Sequence, residues 1–298
     1  MSEQPAPVSV VIAAYNAQRT LGDALASVLR QSPRPAQLIV VDDGSTDDTA
    51  RVVAGYPEAQ LIRQPNQGPS AARNTGIAAA TQPWVAFLDA DDLWLPGRLA
   101  RQLTAARRHP GAVLLAGDWV RTGEEYREPT GLVGETLLGY RDLLVMNRFQ
   151  TSTVLVRTEV LADCGGFDPT LDGAEDWDLW LRCAKHGLSV KLDLPLAVYR
   201  DEPAGYSKDL PRLYGRMLSM LDRERAGTAL TAAAFARVLT WHHLRFAVAF
   251  LLAGKPALSR GVLREVRLTG LARHVPGAAV GYLLPFLGSR VRRRLRRA

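Results

Sequence analysis

Apolar residues along the chain fall into short unbroken runs, and each run breaks off into a polar loop. Residues 8–14 (VSVVIAA) lead into Tyr15-Asn16, residues 38–41 (LIVV) into Asp42-Asp43-Gly44-Ser45, and residues 85–88 (VAFL) into Asp89-Ala90-Asp91-Asp92. Runs of bulky, β-branched residues without polar alternation read as strands buried on both faces, as in a parallel sheet. Between the first two runs Leu21, Leu25, Val28 and Leu29 recur at helical spacing, and Pro33 and Pro35 close the helix. Strand, helix, strand predicts a right-handed βαβ unit. Ligands of such sheets bind beyond the carboxyl ends of the strands, where all three polar clusters fall.

Further along, Gly68-Pro69 makes a turn and residues 70–80 read as a helix of small side chains, with Arg73 one turn in. Residues 151–157 read as a strand, 158–164 as a short helix ended by Gly165-Gly166, and 188–199 as a strand or strand pair. Residues 174–182 read as a helix with Asp176 near its start and Leu179, Arg182 and Cys183 on one side. From residue 211 the pattern turns helical: 211–226, then 229–252, with Ala232, Phe235, Val238, Leu239, Leu244, Val248 and Leu251 at helical intervals. Gly254-Lys255-Pro256 breaks that helix, and 257–271 form a third with Arg260, Arg264 and Arg267 on one face. Residues 276–288 are apolar, but 13 positions fall short of a membrane span.

Composition bounds this picture. A chain of 298 residues, 47% hydrophobic, holds one large domain or a domain with an appendage. The patterning divides it into an α/β domain over 1–210 and a helical extension over 211–298. Cys164 and Cys183 do not make a disulfide framework, so a reducing cytosol is the default compartment. Residues 1–7 are polar and lack the apolar core of a secretory signal. The net charge of +7 conceals a division: residues 211–298 hold 17 Lys/Arg against 3 Asp/Glu, and the rest hold 20 against 27. The chain ends with six arginines in nine positions, residues 290–298. Apolar residues beside such a cluster suit the surface of an anionic membrane. Without an aromatic-interleaved basic motif or a recognition helix, nucleic acid is not an expected partner. A solvated helical cap is the plain alternative.

Three carboxylates ending one strand repel one another unless a cation lies among them, and Mg²⁺ or Mn²⁺ with a substrate phosphate meets that need. The structural alternative, for Asp92 alone, is the N-cap of a following helix. Arg73 near a helix start suits a diphosphate or is simply a solvated helix residue. Asp176 suits a general base or a helix cap stabilised by the dipole.

Residues 8–16, 41–49, 66–76 and 88–92, in this order and spacing, resemble a family 2 glycosyltransferase of the GT-A fold. The Gly-Gly-Phe-Asp segment at 165–168 and Glu175-Asp176 extend the likeness to about residue 203. The resemblance implies a Rossmann-like, mixed, mostly parallel sheet flanked by helices, followed here by the basic helical extension. It implies an inverting, nucleotide-sugar-dependent transferase, most commonly UDP-linked, acting on a glycan or lipid-linked acceptor in cell-surface polysaccharide or glycolipid synthesis. By resemblance Asp176 is the general base. Ala13 and Tyr15 frame the nucleobase, Asp43 accepts from its N–H with Asp42 close by, and Arg73 meets the diphosphate. Asp89 faces ribose or metal, Asp91 binds Mn²⁺ or Mg²⁺, and Asp92 is an alternate ligand or a cap. Many members carry Arg-x-His after the last strand. Here Tyr199-Arg200-Asp201-Glu202-Pro203 holds no histidine, so the role is unfilled or falls to Asp201, Glu202 or residues around Tyr206. The expected location is cytoplasmic, peripheral on the inner face of the cell membrane. The alternative function is a non-catalytic nucleotide-sugar or glycan-binding module of the same fold.

Overall fold

The computed structural model describes residues 4–126, 128, 133–200 and 209–275. The chain forms two compact units, Met1–Leu143 with Asn147–Gly205, and Leu144–Met146 with Tyr206–Ala298. The expected apolar stretch 276–288, the arginine cluster after it, and Asp201, Glu202 and Tyr206 lie outside the described residues.

In the first unit β1 (Ala6–Ala14), β2 (Pro35–Asp42), β3 (Ala59–Arg63) and β4 (Trp84–Asp89) run parallel, with α1 (Leu21–Leu29), α2 (Thr49–Ala54) and α3 (Pro69–Ala79) between them. Next come β5 (Leu93–Trp94), α4 (Arg98–Arg108), β6 (Ala112–Arg121), β7 (Glu135–Leu138) and α5 (Tyr140–Val145). The unit continues with β8 (Leu155–Arg157), α6 (Thr158–Cys164), α7 (Glu175–Cys183) and β9 (Leu188–Tyr199). The sheet order is β3-β2-β1-β4-β8-β6-β9-β5, with β7 paired to β9. It is the mixed sheet flanked by helices that the sequence implies, its parallel half first in the chain. The apolar pattern passes over α2 and β3 because β3 is an edge strand with no buried residue, so burial leaves little mark on it.

Register brings the acids to one edge: Ala13 pairs with Asp89, Ala14 with Asp42, and Asp42 with Arg63. Beneath that edge Val10, Ile12, Leu38, Val40, Ala86 and Leu88 pack in one core. On the opposite face Phe87 meets Phe167 (centroids 5.2 Å apart) and Trp180 (6.1 Å). α3 lies close on β1: a Cβ at Gly76 would sit 2.3 Å from Val11 Cγ1, so only glycine allows this approach.

Two local expectations change. Thr151–Thr153 form a 3-10 turn ahead of β8 rather than the first half of a strand. There the Ser152 carbonyl accepts from Trp94 Nε1 (3.1 Å) and from Arg98 Nη1, and Val154 O from Arg98 Nη2 (3.0 Å), so side chains take bonds a ladder would use. Asp92 caps no helix. It runs into β5, which pairs with β9, and α4 starts only after Gly97, whose left-handed backbone (φ 70°) turns the chain.

The second unit holds α8 (Leu210–Gly227), α9 (Ala232–Leu252), α10 (Pro256–Leu268) and a 3-10 turn at Leu271–His274. Trp241 Nε1 donates to Val145 O (3.0 Å), and His242 Nε2 lies 2.9 Å from Leu144 O, which ties Leu144–Met146 to α9. Burial at this spot holds the His242 imidazole neutral, well below its ordinary pKa. The buried face of α9 keeps Phe235 and Val238 of the stripe expected from its spacing but not Ala232, Val248 or Leu251. Phe235, Val238, Trp241, Phe246 and Phe250 turn inward, while Val248 and Leu251 face solvent. The aromatic rings remove more apolar area from water, and Tyr214 of α8 packs on Phe246 and Phe250 (5.1 and 5.8 Å). Among the described residues no helix is long and apolar enough to cross a membrane.

Candidate active site

The loop after β1 and the loop after β2 brace each other. Asn16 takes a left-handed backbone (φ 49°), donates its N–H to Ser45 Oγ (2.9 Å) and accepts from Thr46 N (2.9 Å). Ala17 N donates to Thr49 Oγ1 (2.8 Å). This leaves the Tyr15 ring 52% exposed beside half-buried Ala13. The two acids at the end of β2 are buried and hold loops. Asp42 accepts from Ser45 N (2.9 Å) and Arg63 Nε (3.0 Å). Asp43 accepts from Gln64 Nε2 (2.8 Å), Gln67 N (3.0 Å) and Gly68 N (2.8 Å), fixing the turn that starts α3.

Three side chains of α3 reach forward to the stretch from Phe167 to Glu175, the first residue of α7. Ser70 Oγ donates to Asp172 Oδ1. Arg73 divides its guanidinium between Asp89 Oδ1 (Nη2, 2.7 Å) and Glu175 Oε1 (Nη1, 3.0 Å), and lies 5.3 Å over the Phe167 ring. Burial alone would lower the Arg73 pKa, but the carboxylates of Asp89 and Glu175 outweigh it and raise it. Asn74 exchanges two bonds with the Phe167 backbone, donating to its O (2.8 Å) and accepting from its N–H (2.7 Å). The fork read as a diphosphate ligand holds two carboxylates on either side of one cation.

Asp176, in the first turn of α7, accepts from Trp177 N (2.5 Å) and Asn147 Nδ2 (3.0 Å). Desolvation and then the Glu175 charge push its pKa up to about 7, against the hydrogen bonds and Arg73. A carboxyl balanced near neutrality and still partly accessible is suited to taking up a proton. Asp92 differs in setting. It is fully buried and accepts from Gln150 Nε2 (2.8 Å), Ser152 Oγ (2.6 Å) and Arg200 N (2.9 Å). Burial, then the neighbouring Asp89, push its pKa up to about 7 as well. Asp91 stays partly exposed between them. Sequence reasoning missed Asn147, Gln150 and Ser152, which lie in a stretch without motif, and missed Glu175 as a partner of Arg73. The adjacency of Glu175 to Asp176 was the available signal.

Parallel strands ending in acidic loops, with a helix-borne carboxylate tied to the same edge, define an α/β protein of the class whose ligand sites lie beyond the carboxyl ends of the strands. The profile of "Glycosyl transferase family 2" matches residues 9–165, more than half of the chain. The chain is 43% identical over 105 residues to the succinoglycan biosynthesis protein ExoU of Rhizobium meliloti (34% of this chain, 30% of that protein). It is 34% identical over 100 residues to the UDP-Glc:alpha-D-GlcNAc-diphosphoundecaprenol beta-1,3-glucosyltransferase WfgD of Escherichia coli (33% and 40%). The fold matches that of the mannosyltransferase PcManGT from Pyrobaculum calidifontis in complex with GDP-Man and Mn2+. Its TM-score is 0.60 at 20% identity, over 95% of this chain and 83% of that one. The protein belongs to glycosyl transferase family 2. The alignments to ExoU and WfgD span less than half the length of those relatives.

Proposed function

We propose that the protein transfers a sugar from a UDP-linked donor to a hydroxyl of a glycan or lipid-linked acceptor, inverting the anomeric carbon, in cell-surface polysaccharide or glycolipid synthesis. The observation that carries this reading is the Asp89–Arg73–Glu175 bridge, because it holds the end of β4 and the first turn of α7 to one cation. The donor lies across the sheet edge, with its base beside Ala13 and Tyr15 and its ribose toward Asp89. Asp42 and Asp43 shape that pocket by fixing the loops around it. Asp176 accepts the acceptor hydroxyl proton as that oxygen bonds to C1 and the bond from C1 to the diphosphate breaks. Its elevated pKa suits this proton transfer. The relatives support the reading: ExoU is named for succinoglycan biosynthesis, and WfgD for a UDP-Glc donor and a diphosphoundecaprenol acceptor.

The donor set bears on a divalent cation. Among the described residues no three His, Cys, Asp or Glu side chains are grouped to hold one. Asp91 and the second oxygen of Asp89 would hold an Mn²⁺ or Mg²⁺, since such ions are commonly bound by one or two carboxylates together with substrate phosphates. Asp92, buried and accepting from Gln150, Ser152 and Arg200, adjoins that pair. Such a cation supplies charge neutralisation on the departing diphosphate. The basic tail brings the enzyme to the inner face of the cell membrane, where a lipid-linked acceptor resides. A panel of nucleotide sugars with lipid-linked sugar acceptors tests the whole reading. Sugar transfer by the wild type and none by Asp176→Asn is the expected result; no transfer from any donor overturns it.

A further inference from the structure

Large apolar side chains exposed among the described residues are few, and most gather in one place. Six of nine, Val248, Leu251, Leu252, Leu258, Leu263 and Leu268, lie on the end of α9 and on α10, with Leu252 83% and Leu268 71% exposed. Val248, Leu251 and Leu252 stand at i, i+3 and i+4, so they share one face of the last turns of α9. α10 buries only Ser259, Val262 and Val266. At 100° per residue Arg260, Arg264 and Arg267 fall within about 60° of one another, opposite that buried stripe. Leu263 and Leu268 flank them at about 40° on either side, while Glu265 points elsewhere. Residues 248–275 carry five basic side chains, with Lys255 and Arg273, and one acid.

We infer that the end of α9 and the outer face of α10 form a docking surface for an anionic membrane interface. The inference rests on the membrane reading of the basic tail and assigns a surface to it. Exposed leucines bracketing an arginine stripe match a headgroup layer, where acyl boundary and phosphate lie within one side chain's reach. Arginine stems bury along the apolar layer and keep their charge at the phosphates. A nucleic acid would engage the arginines and leave the leucines in water, so the apolar half of the surface decides between the two. No helix among the described residues is long and apolar enough to span, so the surface lies on the interface rather than crossing it.

Flotation of the full chain with phosphatidylglycerol/phosphatidylcholine vesicles, at low and high salt, tests the assignment. The triple variant Arg260→Gln, Arg264→Gln, Arg267→Gln should lose at least tenfold in partitioning at low salt. The triple variant Leu252→Ser, Leu263→Ser, Leu268→Ser should lose the binding that survives high salt. Both should keep the wild-type melting temperature, since all six positions are exposed. Wild-type partitioning by both variants overturns the surface and leaves the membrane reading standing. A wild type that floats with no vesicle overturns both. A leucine-dependent dimer without vesicle binding assigns the face to a second copy of the chain, and RNA binding that only the arginine variant loses assigns it to nucleic acid; either overturns the inference.

Discussion

Asp176 carries the chemistry proposed for the site, and its surroundings make it testable by pH. With its pKa raised to about 7, the residue is protonated below neutrality, so kcat should rise with pH through an acidic limb near 7. Glu175→Gln removes the like charge that helps raise it, and the limb should move to lower pH. A pH–rate profile of the two proteins checks both statements, and an unmoved limb assigns the titration elsewhere. Asp176→Asn should lower kcat by about 10²–10⁴ while the Kd for UDP, read by calorimetry, stays near wild type, because a base acts chiefly in the transition state. The same substitution should also stabilise the fold as pH rises from 5 to 8. A carboxyl whose folded pKa lies above its unfolded one stabilises at low pH and loses that contribution as pH passes the folded value. Asparagine has no such loss, and urea midpoints at the two pH values read the difference.

At the scale of elements, α3 is the part that joins the segments of the site. Asn74 holds the Phe167 backbone by two hydrogen bonds, and Gly166 must be glycine beside it: φ is 73°, and a Cβ would sit 2.4 Å from Asn74 Oδ1. Asn74→Ala leaves both backbone groups of Phe167 unpaired and should cost about 1–3 kcal/mol in chemical denaturation. β1, β2 and β4 were legible because burial on both faces leaves continuous apolar runs, while the edge strand β3 was not, and α1, α3 and α6 because prolines and glycines bound them. What side chains decide was not legible. The 3-10 turn at Thr151–Thr153 follows from Arg98 and Trp94 claiming its carbonyls, which no local pattern records. The inward face of α9 follows from Trp241, Phe246 and Phe250 finding partners in α8 and in Leu144–Met146, contacts remote in sequence. Arg73 likewise showed its helix but not its two carboxylates, one of them 102 residues away.

For the molecule as a whole, donor binding is the property that should respond to metal. Two carboxylates completed by a diphosphate make a site that forms fully only with nucleotide present. UDP should therefore bind much more tightly with Mn²⁺ or Mg²⁺ than with EDTA, and Asp91→Asn should lose most of that difference. Equal affinities in the wild type would remove the metal from the reading. The reach of α3 has a consequence for recombination between relatives. The family profile ends at residue 165, yet Ser70, Arg73 and Asn74 find their partners at Asp172, Glu175 and Phe167. A chimera spliced at the profile boundary therefore inherits three side chains from one parent and their counterparts from another. The natural exchange module runs through α7, and a graft that respects it carries Asp176 along with the acidic edge of the sheet.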